Sequence, residues 1–98
     1  MTKSAFWVIA WRSVSDAAAV ERYAATAGAA IRAHGGRIIA RGDPARTYEA
    51  GVSERLVVVR FEDLPAAISA YESPEYQAAV AHLAGAAERD VRIIESVE

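Results

Sequence analysis

Residues 61–76, FEDLPAAISAYESPEY, decide how this chain folds. A hydrophobic segment ends at Phe61, and Asp63 two positions later is a residue type that caps helix N-termini. Ser73 and Pro74 form the same kind of start signal, because Ser caps a helix and Pro is tolerated in its first turn. The stretch therefore predicts a strand that leads into two consecutive helices.

Hydrophobic segments of strand length lie on both sides of this stretch. They are rich in branched and aromatic residues, which is typical of buried strands. The predicted strands cover residues 5–12, 37–41, 55–61 and 90–97. Between the first two, apolar residues recur at helical spacing from Val20 to Ile31, and Gly35 and Gly36 end that helix. A similar apolar stripe predicts that the last helix extends to Ala87.

The predicted elements follow one another in the order β-α-β-β-α-β, with the second helix broken in two. This order predicts an α+β protein with the ferredoxin-like fold, in which an antiparallel four-stranded sheet carries the helices on one face. The chain has 98 residues and neither an internal linker nor a short repeat, so we expect a single domain over residues 1–98.

Both faces of the predicted sheet are apolar. In the first strand Phe6 and Val8 alternate with Trp7 and Ile9. A sheet with one face in water would instead alternate apolar and polar side chains. Helices cover only one face, and a large exposed apolar patch usually marks an interface. We therefore predict a homodimer in which two sheets pack face to face.

The composition argues against several classes of protein. The 11 basic and 13 acidic residues give a net charge of −2, without the basic excess of a nucleic-acid-binding protein. Cysteine is absent and the two histidines have no nearby pair of carboxylates, so neither a disulfide nor a metal site is predicted. No nucleotide-binding glycine motif occurs, and no cofactor is predicted. Without a membrane-spanning or signal-like segment, the expected location is the cytoplasm.

Several short motifs together resemble one known family. They are Gly35-Gly36-Arg37, Arg41-Gly42, Glu49, the segment from Leu56 to Phe61, and Ala67 through Tyr71 to Ser73-Pro74-Glu75-Tyr76. With this arrangement, from Phe6 to Ile94, the chain resembles the domain of unknown function 1330 (DUF1330) family of the dimeric α/β-barrel superfamily. The resemblance implies a ferredoxin-like protomer and a homodimer whose sheets form a barrel. Wider relatives in that superfamily include cofactor-free monooxygenases, lactone isomerases, haem-binding proteins and ligand-sensing modules.

Five side chains are candidates for a functional site. His34 and Tyr71 are the predicted catalytic groups, because imidazole titrates near neutral pH and a phenol can exchange a proton with a ligand oxygen. Tyr76, Arg60 and His82 are predicted to bind substrate, the arginine through a two-pronged hydrogen bond to a carboxylate. Each candidate has a structural alternative, since tyrosines pack in cores, histidines serve structural roles and arginines form salt bridges.

These residues leave two functions open. The first is binding of a small, largely apolar organic molecule between the sheet and the helices. In its catalytic form this would be a metal-free enzyme that moves a proton on an aromatic or lactone-like compound. The second is a non-enzymatic dimer module that senses a ligand or has a purely structural role.

Overall fold

The computed structural model describes residues 2–98, which form four strands and three helices. The strands are β1 (Ala5–Val14), β2 (Arg37–Gly42), β3 (Leu56–Phe61) and β4 (Ala87–Glu95). The helices are α1 (Ala17–Ala33), α2 (Leu64–Glu72) and α3 (Pro74–Ala81). All strand pairs are antiparallel, and the sheet order is β2-β3-β1-β4. This is the ferredoxin-like fold that the sequence predicts, with α2 and α3 in place of one second helix.

Side-chain caps determine where the helices begin. Asp16 caps α1, and Asp63 caps α2 by accepting a hydrogen bond from the backbone N–H of Ala66. The Ser73 hydroxyl has two roles, since it donates to a carbonyl in the last turn of α2 and accepts the backbone N–H of Tyr76 in α3. The predicted break between the two helices is therefore confirmed, and one buried serine stabilises both sides of it.

Backbone conformation and steric crowding explain why positions 35 and 36, after α1, are both glycine. Gly35 has a φ of 82°, a left-handed conformation that ends a helix and favours glycine. A Cβ on Gly36 would lie 2.6 Å from Ile31 Cγ2 and 2.7 Å from the Phe61 ring. The chain can therefore pass this close to the core only because position 36 has no side chain.

The core lies between the helices and one face of the sheet. Its largest fully buried side chains are Trp7, Tyr76, Phe61, Ile9 and Val59. Odd-numbered positions of β1 and β3 therefore face the helices up to the end of the β1–β3 ladder, and even-numbered positions face away. None of the helices within residues 2–98 is long and apolar enough to cross a lipid bilayer.

The predicted boundaries near the C-terminus differ from the structure. α3 ends at Ala81 rather than at Ala87, and Gly85, with a φ of 71°, turns the chain. β4 begins at Ala87 instead of residue 90, because β1 continues to Val14 and offers Ala87 an antiparallel partner. A register shift near the end of β1 accompanies this extension.

The face of the sheet that carries no helix, here called the open face, is apolar at its centre. Its apolar members are Phe6, Val8, Ala10, Leu56, Val58 and Ile94. Ile94 is 58% exposed, and Arg60, Arg92 and Asp90 lie on the same face beside the apolar set. Both faces of the sheet are therefore apolar, as predicted, and a single chain covers only one of them.

Candidate functional site

Two pockets open on the helix side of the sheet. The α1 pocket lies between α1 and strands β1 to β3, with a volume of about 490 Å³. The α3 pocket lies between α3 and β4, with a volume of about 450 Å³. Trp11 lines the α1 pocket, Arg89 lines the α3 pocket, and the Arg89 guanidinium carbon lies 5.2 Å from the Trp11 ring centroid. A residue that lines one pocket is therefore in cation–π contact with a residue that lines the other.

The walls of the α1 pocket are mostly apolar. They include Ile9, Trp11, Val20, Tyr23, Ala27, Ile31, Ile38 and Val57. The indole Nε1 of Trp11 is buried and has no hydrogen-bond acceptor among residues 2–98. This nitrogen is shielded from water and so does not open into the α1 pocket, whose surface is mainly apolar.

Arginines add positive charge around the α1 pocket. Arg41 pairs with Val57 in the β2–β3 register and so faces the helix side, and Arg55 also lines the pocket. A third arginine, Arg12, is held by the carboxylates of Glu54 and Asp90. Among the described residues, Arg41 and Arg55 take part in no ion pair. Their guanidinium groups are therefore available to a ligand.

Tyr23, Tyr76 and Arg89 form a tyrosine–arginine cluster, in which Tyr23 lines the α1 pocket and Arg89 lines the α3 pocket. The two phenolic oxygens are 2.6 Å apart, and Arg89 Nη1 donates to both, at 3.0 Å and 3.1 Å. The Arg89 guanidinium carbon also lies 4.9 Å from the Tyr23 ring centroid, a cation–π contact. The cluster therefore connects α1, α3 and β4 through polar contacts inside an apolar core.

Burial determines the charge of this cluster. Desolvation raises the pKa of the Tyr76 phenol above its ordinary value of 10.0, nearby Tyr23 raises it further, and the Arg89 charge only partly opposes this. Burial lowers the pKa of the Arg89 guanidinium, but its interactions with Tyr23 and Tyr76 outweigh that effect and the net shift is upward. At neutral pH the Tyr76 phenol is therefore neutral, and the Arg89 guanidinium beside it is a cation.

The raised pKa of Tyr76 predicts a loss of stability in alkaline solution. In the unfolded chain the phenol ionises near its ordinary pKa of 10.0, whereas in the folded protein it stays neutral to higher pH. The free energy of unfolding should therefore fall above about pH 10, by up to about 1.4 kcal/mol per pH unit, until the folded-state pKa is reached. Urea unfolding followed by circular dichroism between about pH 8 and about pH 11 measures this slope.

Two phenylalanine variants isolate the contribution of Tyr76. Tyr76→Phe should be less stable than the wild type at neutral pH, because Arg89 and Tyr23 lose a partner, but its alkaline slope should be shallower. Tyr48→Phe is the matched control, since Tyr48 is 75% exposed, and it should keep the wild-type slope. Parallel pH profiles for the wild type and Tyr76→Phe would contradict this account.

Tyr71 and Tyr76 lie together, as the sequence suggests. Their ring centroids are 5.3 Å apart, and both rings also pack against Trp7. Tyr71 is half-buried and lines the α3 pocket, whereas Tyr76 is fully buried and its hydroxyl belongs to the tyrosine–arginine cluster. Of the two, Tyr71 is therefore the one that a ligand can reach.

The other three predicted residues lie elsewhere. His34 follows the last turn of α1, where its Nε2 lies 2.8 Å from Glu75 Oε1. Arg60 is on the open face and donates to Ser4 Oγ at 2.8 Å. His82 is exposed at the C-terminal cap of α3. None of the three lines either pocket, so the five candidates do not form a single site.

Trp11, Tyr23 and Arg89 are not among the site residues predicted from the sequence. Tyr23 precedes Ala27 by one helical turn, so the same periodicity that identifies α1 places it on the buried side. Arg89 lies two positions before Val91, so both side chains are on the helix-facing side of β4. A charged residue on this otherwise apolar side could have identified Arg89 as a site candidate. Arg89 was missed because the predicted last strand began at residue 90, whereas β4 begins at Ala87.

The fold and the pocket define a class: ferredoxin-like α+β proteins with a cavity of small-molecule size between sheet and helices. The chain belongs to the DUF1330 family, the domain of unknown function whose family model matches residues 4–97. This membership confirms the resemblance found in the sequence. Among curated proteins, none has a sequence that matches this chain.

Solved structures share the fold at low sequence identity. A protein of unknown function from Rhodopseudomonas palustris is 14% identical, with a TM-score of 0.71, and covers 100% of this chain and 85% of its own. SnoaB, a cofactor-independent oxygenase from Streptomyces nogalater, is 11% identical, with a TM-score of 0.63 and coverages of 99% and 96%. A dimeric ferredoxin-like protein of unknown function from Thermobifida fusca is 16% identical, with a TM-score of 0.66 and coverages of 98% and 93%. At these identities the likeness shows the fold alone.

Proposed function

We propose that this protein is a homodimer that binds a small, largely apolar organic molecule in the α1 pocket. The observation that carries the proposal is the pocket itself, with a volume of about 490 Å³ and apolar walls. Small-molecule sites are typically concave, roughly 300–1,000 Å³ in volume, and apolar with a few placed polar groups. The α1 pocket has each of these properties.

The polar groups of the α1 pocket indicate what kind of ligand fits. Arg41 and Arg55 would favour an electron-rich oxygen at the rim of the pocket. The proposed ligand is therefore an apolar body, such as an aromatic ring system, that carries at least one oxygen.

Filling the α1 pocket should weaken binding. Ala24 is an exposed residue of α1 that lines the pocket, so Ala24→Phe should weaken binding of naphthol by at least about tenfold. Two-dimensional amide NMR measures the affinity, and naphthol should shift the signals of Gly28 and Val57, which line the same pocket.

The neighbouring residue provides the control. Ala25 is also exposed on α1 but does not line the pocket, so Ala25→Phe should leave naphthol affinity within about twofold of the wild type. Equal loss in both variants, or naphthol shifts confined to residues outside the α1 pocket, would remove the support for this function.

The open face supports the homodimer. Its apolar centre is flanked by charged side chains, which is the usual anatomy of a protein interface. Two copies of the same face can pack across a two-fold axis, as in other sheet-on-sheet assemblies. Both pockets are on the helix side, so a dimer built this way would leave them open to solvent.

A second candidate function is proton-transfer catalysis in the α3 pocket. Tyr71 and Arg89 line the same space, so a phenol that moves a proton and a guanidinium that stabilises negative charge would be neighbours. Tyr76 would support the Tyr71 ring from the core. His34, Arg60 and His82 would have functional roles only for a ligand outside the two pockets. Recovering an aromatic or lactone-like compound unchanged after incubation would favour a binding or sensing module over an enzyme.

A further inference from the structure

Arg89 is a partly buried cation without a carboxylate partner. The ion pairs among residues 2–98 join Arg12 to Glu54 and Asp90, Arg92 to Asp90, and His34 to Glu75. A charge removed from water is stabilised when an opposite charge and hydrogen bonds replace the water. Arg89 donates hydrogen bonds to two tyrosine hydroxyls and makes cation–π contacts with two aromatic rings, but no carboxylate pairs with it.

The hydrogen bonds of Arg89 use only part of its guanidinium. Both protein contacts come from Nη1, which donates to the hydroxyls of Tyr23 and Tyr76. Within the described residues, Nε and Nη2 donate to no side chain or carbonyl. These two nitrogens form one edge of the planar group, the edge that holds the two oxygens of a carboxylate in a bidentate pair. The cluster therefore fixes the guanidinium in place and leaves a carboxylate-binding edge unused.

The α3 pocket provides space beside Arg89 for such a ligand. Its volume is about 450 Å³, and apolar groups line most of it: Val80, Leu83, Ala87, Val91 and the Tyr71 ring. Tyr71 has no side-chain hydrogen bond within residues 2–98, so its hydroxyl can also donate to a bound oxygen. The pocket therefore combines an apolar wall with a fixed cation and a phenol.

We propose that the α3 pocket is a carboxylate-binding site, in which Arg89 holds a small aryl or alkyl carboxylate whose apolar body packs against Tyr71, Leu83 and Val91. The tyrosine–arginine cluster orients the guanidinium for this ligand and keeps it in place when the site is empty. The site is separate from the α1 pocket, so it does not depend on the binding function proposed there.

The test uses benzoate and its neutral analogue benzamide with the full chain. Benzoate should shift the amide NMR signals of Leu83, Gly85 and Val91, and benzamide should bind roughly tenfold to a hundredfold more weakly, because it lacks the charge that pairs with the guanidinium. Arg89→Lys keeps the charge but loses the planar fork, and should weaken benzoate by at least about tenfold.

Variants that do not alter the cluster keep the test independent of folding. Ala84 is exposed and lines the α3 pocket, whereas Ala78 is exposed on α3 outside it. Ala84→Phe should abolish benzoate binding and Ala78→Phe should not. Equal affinity for benzoate and benzamide, undiminished benzoate binding in Ala84→Phe, or benzoate shifts only around the α1 pocket would each overturn the proposal.

Discussion

Replacing Trp7 with alanine should lower the free energy of unfolding by about 3–5 kcal/mol, the usual cost of truncating a fully buried aromatic side chain. Trp7 has no exposed surface, and its ring centroid lies 4.8 Å from that of Tyr76 and 5.0 Å from that of Phe61. Its Nε1 donates to the backbone carbonyl of Ala67 in α2 at 2.8 Å. One side chain thus packs α2, α3 and two strands together, and the loss would be a large part of the roughly 5–15 kcal/mol that stabilises a typical domain.

Two further variants separate packing from hydrogen bonding at this site. Trp7→Phe keeps an aromatic ring and loses only the indole donor and some volume, so its loss should be well below that of alanine. Tyr48→Ala changes a side chain that is 75% exposed and should alter stability by no more than about 0.5 kcal/mol. Urea unfolding followed by circular dichroism, at one fixed protein concentration, gives all three values. A loss below about 1 kcal/mol for Trp7→Ala would contradict this assignment of the core.

The fold was predictable because its signals are local. Asp63, Ser73 and Pro74 each mark a helix start through their own chemistry. In the structure Asp63 caps α2 and Ser73 caps α3. The boundary of β4 was not predictable in the same way. Its first residues are strand because β1 extends to Val14 and pairs with them, which is a contact between distant segments. Local pattern alone extends α3 to Ala87 and misses this pairing.

The candidate site was less predictable, because side chains acquire partners only through the tertiary fold. Tyr71 and Tyr76 were found from their position at the helix break, and they do lie together. Arg89 is 13 residues from Tyr76 and 66 residues from Tyr23, so its hydrogen bonds to both depend on how α1, α3 and β4 pack. His34 follows the apolar stripe of α1 in sequence, but Glu75 at the start of α3 holds its ring.

The apolar open face is the main reason to predict a dimer. Phe6 and Val8 in β1 lie beside Val58 in β3, so the centre of the sheet exposes a continuous apolar surface where a monomer would need polar residues. A two-fold axis through this surface would place each apolar side chain against the same set from a second copy. The mass in solution should therefore be twice the 10.5 kDa of one chain.

Val58→Glu should convert the proposed dimer into a folded monomer. Val58 lies near the middle of the open face, and an isologous interface would bury the new carboxylate twice, once from each protomer. Each unpaired buried charge costs several kcal/mol, so about 4 kcal/mol in total is a conservative value and corresponds to a roughly thousandfold weaker dimer. Light scattering at micromolar concentration measures the change in mass, and circular dichroism checks that the variant is folded.

Two other glutamate variants decide whether the open face is responsible. Ile94 is on the same face but 58% exposed in the single chain, so Ile94→Glu should fold well and still weaken the dimer. Ile68 is 40% exposed on α2, on the helix side of the domain, and Ile68→Glu should keep the wild-type mass. A wild-type mass of one chain would contradict the dimer itself. Dissociation by Ile68→Glu but not by Val58→Glu or Ile94→Glu would instead place the interface on the helix side of the domain.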